Sequence, residues 1–491
     1  MYQKIKNNII EYTLITIGIV ICIIQYFYNR SLWLDEASLA NNIISRNFLE
    51  LLIPLDHNQV APIGFLFLTK LFSFTIPNSE LGLRVFPLLS YIFSIILFYK
   101  TCKILFKNKL AIIFCLSLFV FNYTLIYYSS ELKQYMSDVF VLLILNYTTI
   151  KYAQTITTQY LRLIVFGCIC VFMSNITPLV LLSCGIYLIV INYKEIIKVS
   201  QIRKLILITF SFWLLTFIFY YLVFIHNHPA KDFMIQYWSN ATAFLPNNPF
   251  DKSFWLFLLT KAKMVFTKLL SYGKIGVLFP LFYLLGFIKI FLYKNYRFII
   301  LFILPIIVHL TLSSFKLYPF DTRLILYSTS IYILIITIGF ENLLNSKYLQ
   351  KFNNAFINGL LPCLFFAYFL YSKPFPIKHE ELKDALSYIN RASKEAYPIY
   401  VYYGAKPALN YYKSINIFNQ SNQLIFGDSS RDNRTKYIEQ IKKINEPFWL
   451  LFSHPFSNED KFIIQKLHSM GYNTSKQFEV NGASVYLFGK N

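Results

Sequence analysis

Apolar runs of roughly bilayer length recur along this chain from Ile9 to Tyr371 and then stop. A hydrocarbon core of about 30 Å takes about 20 residues of helix. By that measure the pattern predicts about eleven transmembrane helices. They fall near 9–28, 83–102, 110–128, 135–152, 161–176, 178–193, 205–225, 273–293, 298–314, 323–340 and 355–371. The apolar run 62–76 is too short to cross and reads as a helix lying along the outer surface. Beyond Tyr371 the pattern becomes that of a small α/β domain. Pro398–Tyr403 and Phe448–Phe452 read as strands, and a helix begins near Pro407. Residues 459–470 have the periodicity of an amphipathic helix. Phe478–Val480 and Ser484–Phe488 flank Asn481-Gly482, the signature of a tight hairpin. The expected fold class is a polytopic α-helical membrane protein with a C-terminal extracytoplasmic α/β domain. Residues 1–371 would form the membrane domain, including a first outer loop (29–82) and a second long one (226–271). Residues 372–491 would form the tail domain.

Charge changes the picture by orienting it. The chain has 46 Lys and Arg against 24 Asp and Glu, a net +22. In a soluble protein that excess points to nucleic acid. Here the bases fill short loops of a single parity: Lys4 and Lys6; Lys100, Lys103, Lys107 and Lys109; Lys151 and Arg162; Lys194, Lys198, Arg203 and Lys204; Lys294 and Arg297; Lys347 and Lys351. This is the positive-inside pattern. It predicts a plasma (inner) membrane protein with a cytoplasmic N-terminus, an outer C-terminal domain and no nucleic-acid partner. The first span reads as an uncleaved anchor. All seven cysteines lie in or beside apolar segments, so no disulfide framework is implied.

The same parity puts the conspicuous chemistry on the outer side. Asp35 and Glu36 follow the first span directly. They could provide a general base for an acceptor hydroxyl, with a divalent cation bridging Asp35 to a phosphate as an option. The simpler alternative is an interfacial helix cap, where Asp is favoured. His57 and Gln59 precede Pro62 and are candidate substrate contacts, although a loop histidine is ordinarily just solvated. Glu131, Lys133 and Tyr135 sit on or beside a short outer turn. They offer a second acid, a phosphate-binding cation and a substrate contact, or merely a local surface pair. Lys316 and Arg323 bracket Tyr318–Asp321 at the end of another span, and Arg84 opens the second span. Arg is suited to bidentate phosphate contact, while the alternative is a snorkelling anchor. His226 and His228 form an isolated pair with no third ligand.

Taken together, these segments resemble the GT-C superfamily of polytopic glycosyltransferases. They are nearest to bacterial members akin to protein O-mannosyltransferases and to lipid A aminoarabinose or galacturonic acid transferases. The similar elements are Trp33–Ser38, Gln59–Gly64, Leu83–Leu88, Tyr127–Tyr135, Tyr318–Arg323 and the tail stretch Ile399–Ala408. Where the family carries a double proline, this chain has Pro62-Ile63. The resemblance implies transfer of a sugar, with inversion, from a polyprenyl-phosphate-linked donor to a hydroxyl. The acceptor would be a lipid, a glycan or a protein, reached among membrane lipids. Asp35 would be the base, Glu131 the second acidic group, and Lys133 and Arg323 the cations on the leaving phosphate. Two rivals remain open on the sequence: a transporter or flippase for a lipid-linked glycan, and a non-catalytic membrane assembly subunit. The absence of a clear internal repeat counts against the first.

Overall fold

The apolar runs fold as helices because, within a bilayer, each backbone amide and carbonyl must find its partner inside its own segment. The computed structural model describes residues 8–77, 79–344, 355–392, 395–418 and 422–490. The orientation lysines Lys4, Lys6, Lys347 and Lys351 lie outside the described residues.

Seven stretches among the described residues are helical, long and apolar enough to cross a membrane: Ile9–Tyr28, Glu80–Leu105, Tyr135–Met173, Ser200–Ile225, Ile275–Leu292, Tyr296–Ser314 and Leu326–Leu344. The 39-residue stretch Tyr135–Met173 is too long for one crossing. A tight turn at Ala153–Thr155 divides it into Tyr135–Tyr152 and Ile156–Met173, and these two helices pack on one another. The shorter apolar helices Lys109–Val120, Thr177–Ile191 and Ile357–Ser372 overlap the other predicted spans. The chain is thus a multi-pass helical membrane protein. Ile63–Ser73 has only 11 residues, as the short-run argument requires.

By its contacts the chain divides into two compact units. The helical unit comprises Met1–Tyr26, Val60–Leu68 and Arg84–Pro374. Within it, some helices approach backbone to backbone. A Cβ on Gly286 would lie 2.0 Å from the Ile335 carbonyl oxygen, and one on Gly339 would lie 1.9 Å from that of Phe282. Only glycine fits at such a crossing, the usual way membrane helices gain close packing. Gly167 makes room for Trp213, whose indole N–H donates to the Leu163 carbonyl at 3.0 Å.

The second unit comprises Phe27–Gln59, Thr69–Leu83 and Phe375–Asn491. Its sheet has strands β1 (Ile399–Val401), β2 (Leu424–Phe426), β3 (Phe448–Ser453), β4 (Asn473–Val480) and β5 (Ala483–Gly489). The spatial order is β2-β1-β3-β5-β4, with β2, β1 and β3 parallel and β5 and β4 antiparallel. β3 is buried along its whole length, which explains its continuous apolar sequence. Tyr400, Tyr402, Tyr437, Phe448, Leu450, Phe452, Ile463 and Phe488 are among the residues that build the core beneath the sheet. The hairpin closes at Asn481-Gly482 as expected, but only Gly482 has positive φ (+70°), so the turn is not of the primed type that the Asn-Gly pair predicts. β2 and the amphipathic helix Leu382–Ala392 are elements the sequence reading missed.

Candidate active site

Each unit carries part of the predicted chemistry. In the second unit, Asp35 and Glu36 open the helix Leu34–Ser45, hereafter the acid helix. Asp35 is not its cap: the cap position is Trp33, which makes no side-chain capping bond. The two adjacent acids have different settings. Glu36 is fully buried and pairs with Arg30, itself 1% exposed, at 3.0 Å. Asp35 is only partly buried. Glu36 lies on one face with Leu39, Ala40 and Ile43 and Asp35 on another with Ser38 and Asn42; all five neighbours are buried, the first three apolar and the last two polar. That spacing was readable from sequence.

The acid helix is fixed by the tail domain. The Leu32 amide donates to the Tyr412 hydroxyl at 2.7 Å, and the Asn41 amide group donates to the Pro407 carbonyl at 2.9 Å. Both acceptors lie on or beside the helix Lys406–Ser414, which packs on the acid helix. Lys383 closes the other side. Its ammonium reaches Glu80 at 3.0 Å and the Asn29 carbonyl at 2.5 Å. Glu380, 5% exposed, accepts from the Leu34 amide and from His454 Nδ1. The Trp33 ring stands 5.3 Å from the His379 ring and 6.0 Å from that of His454. The hydrogen bond to Glu380, with the nearby charge of Asp35, raises the His454 pKa above the usual histidine value, against burial and Arg431. Burial pulls that of His379 down. Glu380, His379 and His454 carry no sequence motif, and reasoning from pattern missed them.

Among the other first-loop candidates, His57 is exposed at φ +58° and Gln59 is buried, donating to the His57 carbonyl at 3.3 Å. No three of His, Cys, Asp and Glu among the described residues come together as a metal-binding set.

In the helical unit, Glu131 and Lys133 occupy the turn between the helices Tyr123–Tyr128 and Tyr135–Tyr152, and both are buried, at 1% and 7% exposure. A buried pair of charges is a poor fit to a mere surface ion pair. Arg323 belongs to the same neighbourhood. Its guanidinium stands 5.1 Å from the Trp238 ring centroid and 5.9 Å from that of Tyr135. The charges of Glu131, Arg323 and Asp321 all act on the Tyr128 hydroxyl. The loop carrying Arg323 is braced. Asp321 pairs with Lys261, on the helix Lys252–Met264, at 2.8 Å, and the Phe320 amide donates to the Ala243 carbonyl at 2.7 Å. His309 lies between the Pro319 carbonyl (3.0 Å) and the Tyr327 hydroxyl (2.9 Å). A carbonyl only accepts, so Nε2 carries the proton and Nδ1 accepts from the hydroxyl. Lys261 and Trp238, from the second long loop, escaped the sequence reading. Lys316 is exposed, at φ +57°, and is not part of this buried group. Arg84, 1% exposed, lies near Tyr26.

No protein-family model and no curated protein matches the sequence. Solved structures do. ArnT from Cupriavidus metallidurans bound to undecaprenyl phosphate matches at TM-score 0.55 and 11% identity, over 96% of this chain and 97% of that one. The chain has the GT-C fold. The apo form of the same ArnT matches over the same shares at TM-score 0.49 and 10% identity. Along nearly the whole chain, the GT-C fold is the frame that carries Asp35 on the first loop and Glu131, Lys133 and Arg323 on later ones.

Proposed function

We propose that this chain is an integral-membrane glycosyltransferase. It moves a sugar from a polyprenyl-phosphate-sugar donor to a hydroxyl acceptor on the outer face of the inner membrane, with inversion. The observation that carries this reading is the fold shared end to end with ArnT, whose bound form holds undecaprenyl phosphate. Asp35 takes the proton of the acceptor hydroxyl as its oxygen bonds to the anomeric carbon. The bond from that carbon to the phosphate oxygen breaks, and polyprenyl phosphate leaves with the electron pair. Attack opposite the leaving group inverts the centre. Arg323 and Lys133 are fixed cations, so they stabilise charge that grows on the leaving phosphate. The stacked, planar guanidinium of Arg323 suits a two-oxygen contact. Glu131 is the second acid of this group, and Tyr135 underlies the Arg323 cation. Glu36, bound to Arg30, keeps the acid helix in place and does not react.

The test is transfer from radiolabelled undecaprenyl-phosphate sugars in membranes containing wild type or Asp35→Asn. The expected result is transfer by wild type and none by the folded variant. Equal transfer by both would remove Asp35 from the mechanism. Binding of undecaprenyl phosphate with no transfer from any donor would favour a transporter or assembly subunit.

A further inference from the structure

We infer that Glu380 and His454 of the C-terminal domain are positioning residues for Asp35: they hold the start of the acid helix against the carboxyl ends of β1 and β3. The inference rests on the reading of Asp35 as the base.

The location follows from topology. The chain leaves β1, adds β2 on one side, and returns to add β3 on the other. In an open parallel sheet the crevice for a ligand lies at the carboxyl ends of the strands where the order reverses, here between β1 and β3. The two strand ends meet closely. A Cβ on Gly404, just past β1, would lie 2.6 Å from the Ser453 carbonyl oxygen at the end of β3. His454 follows at φ +54°, a left-handed position that turns the chain away from the strand. At this edge the tail domain meets its own first loop, through the Trp33 ring and the Leu34 amide.

The local chemistry then explains what Glu380 does. A helix begins with amides that have no partner within the helix. Trp33 has no side-chain acceptor to offer them. Glu380 accepts from the Leu34 amide at 3.4 Å, a cap supplied from 346 residues further along the chain. A carboxylate is also the favoured charge beside a helix N-terminus. His454 Nδ1 donates to the other oxygen of Glu380 at 2.6 Å, and Ser453 Oγ adds a contact at 3.4 Å. The hairpin turn closes over the back. The Glu381 amide donates to the Asn481 carbonyl at 2.8 Å, and a Cβ on Gly482 would lie 2.8 Å from Glu380 Cγ. Glu380 is therefore held by β3, the turn and His454 together. Asp35 is the next residue after the amide it anchors. Displacing a catalytic group by about 1 Å can cost about 100-fold in rate.

The experiment uses the full chain in nanodiscs, with Glu380→Ala, Glu380→Gln, His454→Gln and Asp35→Asn, and an undecaprenyl-phosphate sugar that the wild type transfers. For Glu380→Ala, kcat should fall about 10- to 100-fold while the donor KM stays within about threefold, because the lost interaction places the base and does not bind the donor. Glu380→Gln keeps an oxygen for the Leu34 amide and should recover most of that loss. His454→Gln should fall between the two. Wild-type kcat in Glu380→Ala, with Asp35→Asn inactive, would overturn this inference alone. So would equal loss of transfer and undecaprenyl phosphate binding in both Glu380 variants, which would mark Glu380 as merely structural. Wild-type transfer by Asp35→Asn would overturn the base assignment on which it rests.

Discussion

Replacing Glu36 by Gln should damage the protein far more than replacing both Glu36 and Arg30 with apolar residues. The two groups sit 3.0 Å apart, at 0% and 1% exposure. At an effective dielectric of about 20, their attraction is roughly 5–6 kcal/mol, and desolvation of both charges takes back most of it. The single variant keeps the desolvation of Arg30 and loses the carboxylate that offsets it, a cost of about 3–5 kcal/mol. For a unit of this size, each kcal/mol lowers the melting temperature by roughly 2–4 °C, so a fall of about 10 °C is expected. In the double variant Arg30→Met with Glu36→Leu, no buried charge remains, and such replacements are often neutral or stabilising. The assay is thermal unfolding in detergent, followed by near-ultraviolet circular dichroism, with sugar transfer measured alongside. The double variant should melt near wild type and retain transfer, because Asp35 is untouched. A small effect in Glu36→Gln, or costs that simply add, would refute the buried-pair argument. A double variant that is folded but transfers no sugar would show that Glu36 touches the substrate.

Three further outcomes are expected. Arg323→Lys keeps the charge but loses the planar fork stacked on Trp238; undecaprenyl phosphate affinity should fall about tenfold by titration calorimetry, and unchanged affinity would remove Arg323 from phosphate binding. Gly339→Ala must push the Phe282 backbone aside; it should destabilise the helical unit by about 1–3 kcal/mol, and a melting temperature equal to wild type would contradict the crossing described here. The raised pKa of His454, which faces Glu380, Asp35 and Arg431, means that the folded state holds its proton more tightly than the unfolded chain. Its stabilisation is then fully present below about pH 6.5 and is lost as pH rises through the raised value. The melting-temperature gap between wild type and His454→Gln should close as pH rises; a gap that widens instead would reverse the sign argued here.

The membrane spans were legible because length and apolarity alone decide them. β1, β3 and the hairpin were legible because a buried parallel strand must be apolar throughout and Asn481-Gly482 fits few other turns. β2 escaped because it is three residues long and only half-buried, and such an edge strand is defined by its partner. The helix Leu382–Ala392 was legible and was overlooked: Leu382, Ala385, Leu386 and Ile389 recur at helical spacing and are its buried residues. The home of the first loop was hidden for a different reason. It depends on groups such as Tyr412 and Glu380, each more than 340 residues away in sequence from the amide it binds. No local pattern encodes a pairing at that range. What was available, and was not used, was the helical repeat across Asp35 and Glu36. Neighbouring residues on a helix point about 100° apart. Two consecutive acids at the start of a half-buried helix therefore cannot share an environment. One must go inward and needs a cation, which Arg30 provides. The other lies on the face of Ser38 and Asn42, which is polar in sequence although both residues are buried.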